Sequence, residues 1–395
     1  VVQPLAMVLL FRVFPADQRG AAMGIFGIGV VLAPALGPWI GGLLIDAFSW
    51  RYVFYLGLPF AALGIFLSAL FLPTRTNDGP RPGFDWVSFA VLSIFLGVLL
   101  NALTNAQREG WTSDAILLQF LIAALASVGF VWWEFKTTKP MLDMRLFQGL
   151  PFVSASLVSF IMGAGLFGST YLVPLFVQTI QGLTPTQAGL LLMPSGFVLV
   201  LIFPIAGRLS DRLPAGWLIG GGLAIFAWSS YLTIDIDINI SFWTLAWITA
   251  LSRVGLGFIF PSLTAASLKV LPKELVGQGS GAINFIRQLG GAFGVNLLAV
   301  FLERRTVMHA DAFAATQTSD NPATMSLLSH VAGMMKAAGL PDFQQVPAAI
   351  SFLSQTIAIQ ANTAAFRDGF LMVAIVFIIA LLPTWLLHRA QARGR

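Results

Sequence analysis

The chain has 395 residues, 57% hydrophobic and 10% charged, with a net charge of +5 and a pI near 9.9. Soluble domains carry about 25% charged residues, so this composition excludes a water-soluble globular fold and calls for an all-α polytopic membrane protein. There is no cysteine, which removes disulfides, thiolate metal sites and cysteine nucleophiles. His309, His330 and His388 fall outside the apolar runs, so no imidazole chemistry or metal site is expected within the membrane.

Val1 to Val13 opens inside an apolar run too short to span a hydrocarbon core, which needs about 20 residues. The chain opens without an initiator Met and without a basic n-region followed by a cleavage site, and it reads as truncated at its N-terminus. Ten full spans follow, at Gly20 to Leu44, Tyr52 to Leu72, Trp86 to Thr104, Ala115 to Trp133, Phe152 to Gln178, Thr186 to Ala206, Ala215 to Ile234, Phe242 to Leu268, Ser280 to Leu302 and Gly369 to Leu387. The first of these carries Pro34 and Pro38 among repeated glycines. In water such a helix is costly; in lipid the backbone has no other hydrogen-bond partner, and Gly37, Gly41 and Gly42 let a neighbouring backbone approach. Glu303 to Asp368 reads as a long polar loop whose last part, Ala348 to Phe366, suggests an interfacial helix.

Lys and Arg accumulate in alternate loops, fourteen on one side, counting the tail, and six on the other, with two inside spans. By the positive-inside rule the richer side is cytoplasmic, which puts the C-terminus inside and loop 303–368 outside. The basic balance therefore reports topology, and no nucleic-acid partner is implied. A shift of 257 positions lays the segment from Pro4 on that from Pro261, matching Pro4, Val13, Pro15, Gly20 and Gly24 with Pro261, Val270, Pro272, Gly277 and Gly281. Such a parallel repeat is a transporter signature.

APALGPWIGGLL, from Ala33, resembles the antiporter motif of drug/proton antiporters in the major facilitator superfamily. FRVFPADQRGAAMG through SWRYVFYLGLP, and GAINFIRQLGGAFG from Gly281, are similar to its 14-helix EmrB/QacA-type branch, and GRLSDR, from Gly207, resembles the superfamily's cytoplasmic loop motif. The resemblance implies the major facilitator fold over family helices 4 to 14. Residues 1–72 would be the remainder of the N-terminal six-helix bundle, 73–145 two extra central helices, and 146–395 the C-terminal bundle with external loop 303–368.

It also implies roles. Gly37, Pro38, Gly41 and Gly42 form the antiporter motif, thought to kink that helix and seal it against one from the other half. Gly207, Arg208, Asp211 and Arg212 form a cytoplasmic gate motif, with Asp211 a latch to a neighbouring helix N-terminus.

Read from polarity alone, Arg253 and Arg287 are the two ionised groups set deep in spans, where an arginine costs at least ~2.5 kcal/mol, so each must face a cavity or a partner. Asn284, Gln288, Tyr171, Gln178 and Asn296 are further candidates for the translocation pathway. No carboxylate falls within a span, so proton coupling rests on the resemblance, in which a helix 1 acid is usually the carrier.

The resulting expectation is a multi-pass protein of the cell inner membrane that exports hydrophobic or amphiphilic drugs and toxic compounds by proton antiport and alternating access. Its energy source is the proton gradient, without a cofactor. Its partners are the lipid bilayer, a small hydrophobic or amphiphilic substrate and, by the resemblance, a periplasmic adaptor protein. A specific metabolite exporter on the same fold and a non-transporting remnant are the alternatives. An enzyme is not indicated, since no constellation of paired Asp, His or Ser is visible.

Overall fold

A computed structural model describes residues 6, 10, 14, 19–71, 84–138 and 140–393. Apart from residues 6, 10 and 14, the opening stub and the N-terminal copy of the repeat up to residue 18 lie outside the described residues, as do Arg12, Arg75, Arg81, Lys139 and Arg395. The helices are α1 (Arg19–Ala47), α2 (Tyr52–Phe71), α3 (Trp86–Glu109), α4 (Asp114–Lys136), α5 (Leu150–Thr179), α6 (Pro185–Arg212), α7 (Ala215–Leu232), α8 (Phe242–Lys269), α9 (Val276–Ala315), α10 (Pro322–Ala337), α11 (Asp342–Ile379) and α12 (Leu381–Arg393), and no strand is present among the described residues.

Nine stretches among the described residues are long and apolar enough to cross a bilayer, corresponding to the second through tenth expected spans, whereas in α1 only the shorter Leu36–Ala47 stretch is so registered. Their surroundings must be apolar too. None of the α2 residues is buried, and Phe54, Ile65 and Phe71 are more than 70% exposed, a surface that water would not tolerate.

Turn chemistry sets the helix starts. Thr184 and Gln187 make a reciprocal capping box at α6. Ser113 caps α4 and Asn321 caps α10. Asp85 caps α3 by accepting from the Val87 and Ser88 amides at 3.0 Å each, from the Ser88 hydroxyl at 2.8 Å and from the Trp133 indole at 3.0 Å, which ties the start of α3 to the end of α4.

These donors, the Ser88 amide foremost, hold the Asp85 carboxyl below its usual range. A depressed pKa stabilises the fold above the unfolded value and ceases to do so as pH falls through the folded one. Asp85→Asn is therefore expected to lower the melting temperature at neutral pH. The gap from wild type should close as both proteins are melted at successively lower pH, below about 4.

The core belongs to α5 through α9 and α11. At the α5–α9 crossing a Cβ on Gly163 would run into the Arg287 carbonyl and one on Gly290 into the Phe160 carbonyl, so the two backbones touch. Phe226 of α7 stacks on Phe377 of α11 at 4.0 Å. The α3–α4 pair leans on α9, where Asn296 donates to Thr104 at 2.5 Å and the Arg304 guanidinium lies 4.6 Å from the Trp111 ring centre.

Residues 303–368, expected to form a loop, are mostly helical. α9 runs 40 residues, about 60 Å at 1.5 Å per residue, twice the hydrocarbon thickness. Ala348 to Phe366 is likewise no separate interfacial helix, because α11 continues through it into the last span. The overshooting halves are stapled. Asp368 accepts from Arg305 at 2.6 Å and pairs with His309 at 2.7 Å, while Thr306 donates to Asn362 at 3.3 Å. Alanine is the best helix former, and a polar, Ala-rich stretch lacking an apolar run makes a good helix that hydropathy does not register.

Candidate functional site: the α1–α6 seam and the buried arginines

Helix α1 lies along α6, with their backbones in contact near the end of α1. A Cβ on Gly42 would sit 2.5 Å from the Pro185 carbonyl oxygen and 2.8 Å from the Thr186 Cα, and one on Gly189 would strike the Pro38 carbonyl. Deeper in the seam, a Cβ on Gly27 would enter the Phe203 ring. Gly37 and Gly41, expected to share in this approach, have nothing within 4 Å of an added Cβ. Just past Gly42, Asp46 accepts from the Thr186 amide at 3.0 Å and its hydroxyl at 2.5 Å, a carboxylate held at a helix N-terminus. Neither Asp46 nor Gly189 stood out in the sequence. The signal was present in the Gly42 to Asp46 spacing of one helical turn and in the Thr184–Pro185 cap signature.

Helix α8 has two working faces. Gly255 and Ile259 pack on Gly222 and Phe226 of α7, and Thr249 and Ser252 line a cavity of about 20 Å³ with Ser169, Phe226 and Ser229. On the other face, Gly257 meets Ile202 and Leu199 of α6, and Phe260 lies 5.4 Å from Phe203 of α6. Gly257 and Phe260 thus turn to α6, the helix that carries α1, whereas Arg253 reaches Thr170 of α5.

Arg253 is 4% exposed and its Nη2 donates to Thr170 of α5 at 3.0 Å, whereas Nη1 is buried with no hydrogen-bond partner. Arg287, 6% exposed, lies with its guanidinium 4.5 Å from the centre of the Phe260 ring and donates to Asn284. Arg253, Asn284 and Arg287 are thus gathered around α8.

The remaining sequence candidates are elsewhere. Gln288 is exposed, Gln178 donates to the Pro174 carbonyl of its own helix at 3.1 Å, Tyr171 is half-buried beside Thr170, and Asn296 faces α3. Of the gate motif, Gly207 is buried and Arg208 and Arg212 are exposed at the end of α6, while the Asp211 side chain lies outside the described residues.

One carboxylate was overlooked. Glu134, one residue beyond its expected span, lies inside α4 and is 3% exposed, with one oxygen accepting from the Leu142 amide at 3.2 Å and the other without a partner.

Alongside these close helix contacts and buried arginines, the sequence matches the pattern described as Major Facilitator Superfamily over residues 1–295. The chain belongs to the major facilitator superfamily. As a member of it, the protein is a membrane transporter and not an enzyme. It is 28% identical over 400 residues to the multidrug transporter protein MdtP of Bacillus subtilis, covering 97% of this chain and 74% of that one. It is 25% identical over 393 residues to the colistin resistance protein EmrB of Acinetobacter baumannii, covering 98% and 76%. The fold is similar to the crystal structure of a bacterial homologue of the human lysosomal transporter Spinster, with a TM-score of 0.51 at 16% identity, covering 99% of this chain and 74% of that one.

Proposed function

We propose that this superfamily member is a proton-coupled antiporter of the cell inner membrane, exporting hydrophobic or amphiphilic compounds by rocking of its two bundles about the α1–α6 seam. The observation that carries the reading is the seam itself. Pro38 and Gly42 of the antiporter-like motif meet Gly189 and Pro185 backbone to backbone, and Asp46 fastens their outer end to the α6 N-terminus. A watertight contact between halves favours exchange, since it denies the coupling ion a leak when no substrate is bound. The names of MdtP and EmrB, a multidrug transporter and a resistance protein, support export as the direction.

In this reading the end of the bundle bearing Lys136, Arg145, Arg208, Arg212 and Lys269 faces the cytoplasm, and the stapled ends of α9 and α11 project outward, where an adaptor protein has a surface to meet.

Everted membrane vesicles carrying the protein test it. Uptake of an amphiphile panel that requires a proton gradient and collapses with an uncoupler is expected. If no member of the panel moves with or without the gradient, a narrower metabolite exporter takes the place of this reading.

A further inference from the structure

We infer that the small cavity enclosed by α5, α7, α8 and α11 binds one ordered water molecule, which joins three of those helices through their side-chain hydroxyls. Nothing in the inference depends on the direction or coupling of transport. Six hydroxyl residues line the cavity: Ser169 on α5, Ser229 and Ser230 on α7 with Thr233 just past its end, and Thr249 and Ser252 on α8. Each of the six is less than 9% exposed. Five have already spent their proton on a backbone carbonyl. Ser169 donates to Leu166 at 3.1 Å, Thr249 to Leu245 at 2.8 Å, Ser252 to Thr249 at 2.6 Å and Thr233 to Ser230 at 2.6 Å, while Ser229 donates across to Ile248 of α8 at 2.6 Å. A hydroxyl has one proton and two lone pairs, so all five keep acceptor capacity. The Ser230 hydroxyl has no hydrogen-bond partner among the described residues and keeps its proton as well.

Size and chemistry both select water. A buried water needs a space of about 10–15 Å³ and two to four polar partners. The cavity measures about 20 Å³ and offers lone pairs from three helices together with one donor. Water is both donor and acceptor, so it takes the Ser230 proton and gives its own two to lone pairs on the facing helices. An alkali cation fits less well. No Asp or Glu lines the cavity. The chain neighbours of Ser252 and Ser169 are Arg253 and Thr170, hydrogen-bonded to each other at 3.0 Å. A buried positive charge therefore lies within a residue of the wall, and it repels a second cation. A water-mediated hydrogen bond is enthalpically nearly as good as a direct one, so the molecule fastens α5 and α7 to α8 where none of the six hydroxyls bonds another side chain among the described residues.

Radiolytic footprinting of the purified protein in detergent tests it. X-ray pulses turn bound water into hydroxyl radicals that oxidise the side chains beside it, and mass spectrometry locates the added oxygen. Phe226 and Phe370 are buried and line the cavity, whereas Phe176 is buried and does not. Wild type is expected to be oxidised at Phe226 or Phe370 and not at Phe176. Thr249→Val exchanges a hydroxyl for a methyl of similar size, and Ser230→Val adds apolar bulk to the wall. Each should lose most of the cavity oxidation and leave Phe176 as it was. One folded variant suffices, and the wild-type pattern decides by itself whether the cavity is wet. Phe226 and Phe370 as unreactive as Phe176 in wild type overturn the inference. So does oxidation that persists undiminished in a folded variant, because the hydroxyls then do not hold the water. Melting curves in sodium, potassium and choline chloride address the ion. Equal melting temperatures in the three salts are expected, and a rise specific to sodium or potassium that Thr249→Val removes replaces the water with a cation.

Discussion

Gly42→Leu and Gly189→Leu are expected to abolish transport and to lower the melting temperature sharply. At both positions the atoms that a side chain would meet are backbone, the Pro185 carbonyl for Gly42 and the Pro38 carbonyl for Gly189, and backbone inside a helix cannot swing aside. Overpacking of this kind costs about 1–3 kcal/mol or more, and here the strain falls on the α1–α6 contact. The alternative to strain is separation of α1 from α6, which under the proposed antiport opens a leak. Gly37→Ala and Gly41→Ala are the internal controls. An added Cβ there meets nothing within 4 Å, and alanine is favoured over glycine in a helix by about 1 kcal/mol, so both should melt at or above wild type and keep transport. Melting curves in detergent paired with vesicle uptake read both effects. A seam variant that transports normally would remove the α1–α6 contact from the mechanism.

The second large effect is expected at Arg287. Its guanidinium on Phe260 is a desolvated cation–π contact, worth about 2 kcal/mol, and Asn284 orients it from the same helix. Arg287→Ala and Phe260→Leu should each reduce gradient-driven uptake by about tenfold or more. Arg287→Lys should recover only part, because an ammonium lacks the planar face that lies on the ring and the fork that engages Asn284. The backbone of Arg287 already touches Gly163 through its carbonyl, and none of these substitutions alters that contact. The α5–α9 crossing should survive, and melting temperatures should move far less than transport. A parallel collapse of folding and uptake would reassign Arg287 to holding the bundle together.

The amino-acid sequence by itself determined the solvent, the fold class and the family. Long uncharged runs have no stable alternative to spanning helices in lipid, and the Gly–Pro and Gly–Gly pattern after Ala33, together with GRLSDR, reads without coordinates. It also marked Arg253 and Arg287, because a cation inside an apolar run stands out wherever the helix is placed. Tertiary structure alone decided which glycines of α1 matter. A one-dimensional pattern carries no rotation about the helix axis relative to a neighbour, so Gly42 could not be told from Gly37, and their partners Gly189 and Pro185, more than 140 positions away, could not be named. The same limit concealed the Asp46–Thr186 clamp, the turning of Asn296 toward α3 and the burial of Glu134. The helical stalk of residues 303–368 was missed for a different reason. Its stability comes from alanine content and from the Arg305–Asp368–His309 staple between distant segments, neither of which raises hydropathy, the signal by which the spans were found.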